Sequence, residues 1–369
     1  MLTRLHIDNF KCFVGFEYKP GQRQLILGGN GSGKSSLMDA LFLLRQFLVV
    51  GEKAEVLFTS SDRTRWVTPT QQRFALDAEL DENSYSYELK LDRPDDWTKP
   101  QVVCEILRVN GAPIFEFIAG QVQLYGDELG KKAKYPFDWS RSALATISPT
   151  EEKDNHKLMR FKRSVENILC FRINPFAMNL RAEGEDASPE QSLSNFAAWH
   201  NYFDKKHPHE KELLDRSLRS ALDAFDALVQ ENAGQEVNLL KARFTREARS
   251  VSIGFDELSD GQRNLISLYA ILRFVVAKGG TVILDEPDNF ISLREIQPWL
   301  MAVDDAIEDH GGQVLIISHH PELINQWAPN YGVRFVRDGM GPARVEKFHG
   351  DPDSLLPPAE LIARGWDSE

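Results

Sequence analysis

"LILGGNGSGKSSLMDAL", residues 25–41, decides how the rest of the chain is read. Gly28, Gly29, Gly31 and Gly33 crowd between a strand-like run, Gln24-Leu25-Ile26-Leu27, and a helix-like run, Ser36-Leu37-Met38-Asp39-Ala40-Leu41. So much bare backbone suits a chain that turns sharply and offers several N–H groups to one anion. Gly28 to Ser35 satisfies G-x-x-x-x-G-K-[ST] in its proper strand-to-helix setting. The plain alternative, a Gly-rich turn that binds nothing, leaves Lys34 and Ser35 unexplained. The motif assigns phosphate binding to Asn30, Gly31, Ser32, Gly33, Lys34, Ser35 and Ser36. Lys34 reaches the β- and γ-phosphates, Ser35 ligates Mg²⁺, and the helix N-terminus adds partial positive charge.

Working outward, a second half of the site lies far along the chain. "TVILDEPDNF", residues 281–290, sets two carboxylates directly after a buried-strand run, at the strand end where α/β sheets bind ligands. Asp285 is the candidate for the Mg²⁺ shell and Glu286 for polarising the attacking water. An acidic loop capping the next helix is the simpler reading of the same residues. "ELSDGQRNLISLYAIL", residues 257–272, starts a helix at Ser259, Asp260, Gly261 and Gln262, where serine also serves as an ordinary N-cap.

Between these halves the pattern changes. Phe74, Leu76, Ala78 and Leu80 alternate up to a turn at Asp81-Glu82-Asn83-Ser84, and Tyr85, Tyr87, Leu89 and Leu91 alternate back. A second hairpin is expected around Asn110-Gly111. Residues 70–125 therefore read as an antiparallel sheet. From about 138 to 232 helical periodicity dominates, broken by Pro149, Pro175, Pro189 and Pro208, and Leu214, Leu218, Leu222, Phe225 and Val229 fall on one helical face. No heptad pattern continues long enough for coiled-coil arms. The expected organisation is a first lobe over 1–69, an inserted sheet over 70–137, a helical insert over 138–249 and a second lobe over 250–369.

Composition excludes several classes. With 42% hydrophobic and 27% charged residues the chain has ordinary globular proportions. Its apolar stretches are too short or too interrupted to span a bilayer and no basic-then-apolar leader opens it, so a cytoplasmic, membrane-free protein is expected. Cys12, Cys104 and Cys170 form no C-x-x-C pair, which suits reduced thiols. A net charge of −12 argues against a surface wholly devoted to nucleic acid. Basic runs at Lys131-Lys132-Ala133-Lys134 and at 157–163 leave local DNA contact open, with a solvated helix face as the alternative. His207-Pro208-His209 lacks companion ligands and reads as a surface turn.

Taken together, "LHIDNFKCF", "GGNGSGKSSLMDAL", "LSDGQ", "ILDEP" and "ISHHPELI" resemble the ABC-type ATPases of the OLD and RecF-like group, relatives of the structural-maintenance-of-chromosomes heads. The resemblance runs from near Met1 to about Asn325. It implies an α/β fold, an ABC-type P-loop NTPase head carrying the inserted sheet and helical segment. It also implies an ATPase using ATP and Mg²⁺, with Glu286 and His319 catalytic, Ser35 and Asp285 at the metal, and His320 only a neighbour. Two protomers would bind ATP head to tail, each phosphate loop facing the partner's signature, Ser259 to Gln262. An ATP-dependent homodimer or higher oligomer follows, and the group's biology implies bacterial DNA maintenance or antiphage defence with a separate effector such as a nuclease or toxin. An ATP-binding scaffold with little turnover and a transport ATPase subunit are the competing readings. Lys11 resembles a basic residue that relatives place near the phosphates, although a surface lysine explains it equally. After the strand-end carboxylates, Asn289 matches the group's pattern while Ser292 and Leu293 depart from it. Gln121, Gln123 and the stretch near Arg141 compete for the glutamine-loop role.

Overall fold

The computed structural model describes residues 1–93, 98–130, 132–148, 155–234, 237–247, 249–349 and 356–365. Lys131 of the first basic run and Pro149 lie outside them. The chain forms two compact units, one from Met1–Ile168, Ala328–Ser354 and Gly365–Glu369, the other from Leu169–Trp327 and Leu355–Arg364.

The first unit opens with β1 (Leu2–Asp8), β2 (Phe16–Tyr18) and β3 (Arg23–Leu27), the last running into the glycine loop and helix α1 (Lys34–Arg45). A π-helical turn, Gln46–Val50, ends at Gly51 in the left-handed region with φ 72°, and a short helix α2 (Ala54–Leu57) follows. Then come β4 (Gln72–Leu80), β5 (Asn83–Asp92), β6 (Gln101–Val109), β7 (Ala112–Ile118), β8 (Gln121–Leu124) and β9 (Lys134–Pro136). Both expected hairpins form, with Leu76 opposite Tyr87 and Glu105 opposite Phe117. The sheet is not an insertion separate from the N-terminus, however. It has eight strands in the order β2-β1-β4-β5-β6-β7-β8-β9, because β1 pairs antiparallel with β4, Ile7 opposite Phe74. Alternation in β1 supplies the reason: Leu5 and Ile7 are fully buried, and the period-two apolar face they present suits a strand covered on one side.

Helix α3 (His156–Glu166) packs on this sheet through Phe161, whose ring stacks 6.0 Å from Tyr85 and 5.8 Å from Tyr87. Burying a side chain of that size is worth roughly 1.5–3 kcal/mol. The same helix carries the second basic run, and most of its cations are spent within the fold. Arg160 makes paired bonds of 3.0 Å to both oxygens of Asp81, Lys157 donates to the Asp127 carbonyl at 3.1 Å, and Lys162 donates to the carbonyls of Ala145 and Ile147 at 2.8 Å. On β6, fully buried Glu105 accepts from Ser142 Oγ at 2.5 Å, Ala143 N at 2.9 Å and Tyr87 Oη at 3.1 Å. Burial pushes its carboxyl up to about 7, although these donors pull the other way.

In the second unit, β10 (Ile168–Phe171) is followed by β11 (Arg181–Glu183), α4 (Phe196–Lys206) and α5 (Pro208–Ala221). His207 is the N-cap residue of α5 and Pro208 its first helical residue, a helix entry at the His-Pro-His turn. The single long helix expected through residue 229 does not form. Leu222 is extended, Ala224 sits at φ 57°, and β12 (Phe225–Asn232) pairs antiparallel with β13 (Val237–Arg246), which pairs with β14 (Arg249–Gly254). The segment 138–249 thus mixes helices with strands, β11 and β12 both pairing with β13. Pairing with a strand beyond Asn232 overrides the local helical spacing, because sheet formation is decided by such distant partners. Phe203 and Phe274 stack at 3.8 Å, joining α4 to the long helix α6 (Asp260–Phe274). That helix is buried from Arg263 to Leu272 on all sides, which places it at the core of its unit.

The unit continues with β15 (Thr281–Asp285), α7 (Leu293–His310) and β16 (Gln313–Ile317). β15 and β16 are parallel and in register from Thr281 and Gln313, and a crossover helix is what such a pair requires. α8 (Pro321–Tyr331) leads to β17 (Gly332–Arg337) and β18 (Ala343–Lys347) in the first unit, where β17 lies parallel to β3 and antiparallel to β18. A short helix, α9 (Pro358–Arg364), comes last. No helix among the described residues is long and apolar enough to cross a membrane.

Candidate active site

The phosphate loop forms at the carboxyl end of β3, and two of its glycines are required by geometry. Gly28 has φ 141° and a Cβ there would stand 2.4 Å from the Phe335 carbonyl oxygen; Gly33 has φ 111° and its Cβ would meet Cys12 Sγ at 2.9 Å. Both positions combine a left-handed backbone with contacts no side chain tolerates. The loop is therefore a tight cradle, closed by a turn from Ser32 N to the Gly29 carbonyl. Lys34, first residue of α1, folds its ammonium back onto the carbonyls of Gly28 and Gly29. Asn30, Gly31 and Ser35 are exposed at the rim, while Ser32 is buried with its hydroxyl unpartnered. An orphaned hydroxyl beside a turn of bare backbone fits a loop shaped for a polyanion. Ser36 receives a weak bond from Cys12 Sγ at 3.7 Å.

Lys11 has φ 50°, and its ammonium lies 2.6 Å from Asp39 Oδ2 on α1 and 3.9 Å from Asp62. Two carboxylates thus engage it beside the helix that follows the loop. Arg337, at the end of β17, donates to the Gly31 carbonyl at 3.3 Å. Among the glutamine-loop candidates, Gln123 donates to the carbonyls of Leu124 and Ala133, Arg141 donates to the Gly51 carbonyl at 3.0 Å, and Gln121 is exposed on β8.

In the second unit, β15 ends at Asp285, whose Oδ2 accepts from Arg172 Nε at 3.0 Å. Glu286 turns into the left-handed region at φ 48°, its N–H held 2.8 Å from the Ile317 carbonyl and its side chain exposed. Asn289 Nδ2 donates to Glu286 Oε2 at 3.0 Å, fixing the carboxylate's orientation. Strain of this kind in a strand-end carboxylate is found where the side chain must be aimed. Next to it, Asp288 Oδ1 accepts from Ser318 Oγ at 2.6 Å, and Ser318 Oγ accepts from His320 N at 2.9 Å. His320 Nδ1 accepts from Glu322 N at 3.2 Å in the first turn of α8. That ring is therefore committed to the helix start, and exposed His319 is left as the histidine available to a ligand.

At the signature, Ser259 is the N-cap of α6 and forms a capping box with Gln262, Ser259 Oγ accepting from Gln262 N at 3.2 Å and Ser259 N donating to Gln262 Oε1 at 3.1 Å. Asp260 pairs with Arg263 at 2.5 Å. Gly261 is needed for packing, since a Cβ would lie 2.6 Å from the Phe290 carbonyl oxygen. Asn264 Nδ2 binds the carbonyls of Pro287 at 2.9 Å and Asn289 at 2.5 Å, so the loop after the strand-end carboxylates rests on the signature helix. Ser292, which departs from the group's pattern, forms the capping box of α7 with Glu295.

Arg172 and Arg337 escaped the sequence reading. Arg172 follows the buried run Ile168–Phe171, a weak local sign of a strand-end cation, and nothing near Arg337 marks it. Among the described residues no group of three or more His, Cys, Asp or Glu side chains is placed to hold a metal. A hydroxyl and a carboxylate nonetheless suit Mg²⁺, which keeps waters and takes substrate phosphates as further ligands.

A family model described as "AAA domain" matches residues 4–245, and another described as "AAA domain, putative AbiEii toxin, Type IV TA system" matches residues 172–325. No curated protein sequence matches the chain. Solved structures do. An Smc head bound to the C-winged helix domain of ScpA superposes with TM-score 0.57 at 12% identity, over 94% of this chain and 97% of that one. An Smc head with an extended coiled coil, bound to the C-terminal domain of ScpA derived from Pyrococcus furiosus, gives 0.55 at 11% identity over 99% and 98%. The SMC head domain from Thermotoga maritima gives 0.50 at 13% identity over 95% and 99%. The chain belongs to the AAA-domain family of ATPases, whose model matches residues 4–245, and it has the ABC-type fold of structural-maintenance-of-chromosomes heads.

Proposed function

We propose that this chain binds and hydrolyses ATP and acts as an ATP-gated dimeric switch. The observation that carries the reading is the glycine cradle of residues 28–33, with Lys34 at the start of α1. Lys34 exchanges its two loop carbonyls for the β- and γ-phosphates, and the N–H groups of the loop hold the β-phosphate. Ser35 and Asp285 would hold Mg²⁺, which when bound supplies charge neutralisation of the phosphates. Glu286, aimed by Asn289, accepts a proton from the attacking water. His319 senses the γ-phosphate from the loop before α8. Each Ser259–Gln262 segment faces the phosphates of the other protomer, the positive end of α6 supplying the attraction. ATP thereby favours the closed dimer, and hydrolysis releases it.

The heads solved with domains of ScpA support the idea that an ATPase of this fold works through a separate chain. For this protein the partner is an effector such as a nuclease or toxin, in bacterial DNA maintenance or antiphage defence within the cytoplasm. Direct DNA contact is a secondary part of the reading, because Arg160 and Lys162 are already engaged. Light scattering of Glu286→Gln protein with ATP and Mg²⁺ tests the switch. A doubling of mass that Ser259→Arg abolishes is expected; a mass indifferent to ATP, or unchanged by Ser259→Arg, rejects the trans-signature arrangement.

A further inference from the structure

We infer that Asn264 is a positioning residue for hydrolysis, holding the loop that aims Glu286; the inference rests on the reading of Glu286 as the group that activates water. Glu286 at φ 48° and Phe290 at φ 71° are both left-handed without being glycine, and they bracket Pro287, Asp288 and Asn289. A loop strained at each end keeps its shape only where its neighbours over-determine it. Asn264 supplies that restraint from α6. Its amide nitrogen donates one hydrogen to the Pro287 carbonyl at 2.9 Å and the other to the Asn289 carbonyl at 2.5 Å. Asn289 in turn donates from its side chain to Glu286 Oε2 at 3.0 Å, so the residue that orients the carboxylate is itself fixed through its backbone. The helix lies close against the loop at this point, since a Cβ on Gly261 would stand 2.6 Å from the Phe290 carbonyl oxygen. Asn264 is 2% exposed, and its Oδ1 is buried with no hydrogen-bond partner among the described residues. The acceptor half of the amide is therefore a cost to folding, while both hydrogens of the donor half go to the loop that carries the carboxylate.

The test separates aim from binding and from folding. ATP turnover, affinity for a fluorescent ATP analogue with Mg²⁺, and thermal melting are measured on wild-type protein, Asn264→Ala, Glu286→Gln and the double variant. Asn264→Ala is expected to lower kcat roughly 10- to 100-fold, the scale of a displaced catalytic group, with KM and analogue affinity within about twofold of wild type. In the Glu286→Gln background, where no carboxylate is left to aim, Asn264→Ala should lower single-turnover hydrolysis by less than about twofold. Asn264→Ser, whose hydroxyl can donate to one of the two carbonyls, carries the test where alanine does not fold, and a kcat between wild type and Glu286→Gln is expected of it. A wild-type kcat in the folded Asn264 variant, a loss confined to KM, or an undiminished effect of Asn264→Ala in the Glu286→Gln background overturns the positioning role while leaving Glu286 in place. Turnover by Glu286→Gln at the wild-type rate overturns the reading of Glu286, and this inference with it.

Discussion

Gly28 and Gly33 carry the sharpest constraints in the molecule. Alanine at either position must be accommodated at a left-handed backbone and against an atom closer than 3 Å, at a cost on the order of 1–3 kcal/mol. Thermal unfolding of Gly28→Ala should show that loss, together with lost ATP binding, because the Phe335 carbonyl cannot retreat without moving β17. These glycines were legible in the sequence because the loop is a local object, its turn, strand and helix contiguous. Arg172 and Arg337 were not legible, because each meets its partner across more of the chain than any local pattern spans. Buried titratable groups add a pH signature. Glu105 titrates near 7 in the fold and near its ordinary value when unfolded, so its contribution to stability is complete in acid and is lost as pH rises through about 7. His200 behaves oppositely: burial, with Lys211 adding, lowers its pKa to about 3, so its contribution is present above 6.5 and lost as pH falls toward 3. Denaturant titrations from pH 5 to 8 should show wild-type stability losing the Glu105 contribution with rising pH. Glu105→Gln should remove that component, and a slope unchanged in the variant would assign the effect elsewhere.

At the scale of elements, α6 joins an observed helix cap and the proposed signature in the same residues. Ser259→Ala removes the side-chain half of the capping box and should cost about 1 kcal/mol in monomer stability. A larger loss of ATP-dependent dimer than this local cost explains would mark the serine's second role, read by comparing melting with light scattering. The boundary between α5 and β12 shows where sequence patterning stops being informative. Leu214 and Leu218 lie buried on the helix as their spacing indicates, but Phe225 and Val229 continue that spacing into a strand. Ala224 at φ 57° makes the break, and alanine gives no sign of a left-handed residue. Ala224→Gly should therefore stabilise the protein by roughly 0.5 kcal/mol, whereas the same change inside a continuous helix would destabilise it. Hairpins and parallel strands were readable because alternation and β-branched runs are strong local signals.

For the whole molecule, the N-terminal strand changes the meaning of the antiparallel sheet. Because β1 pairs with β4, the polypeptide that leads into β3 and the phosphate loop begins inside that eight-stranded sheet. The sheet belongs to the same folding unit as the glycine cradle, and the helical segment's sheet belongs to the other. Motif order was enough to anticipate an ATPase head, since each motif sits at a strand or helix end that its own flanks define. Domain boundaries were harder, because they depend on which strands meet. The central claim concerns chemistry, and phosphate release from ATP by purified wild-type protein, Lys34→Ala and Glu286→Gln tests it most directly. The account predicts turnover by wild type, none by Lys34→Ala, and retained ATP binding with about 100-fold or greater loss of turnover in Glu286→Gln. Turnover by Glu286→Gln at the wild-type rate would contradict it.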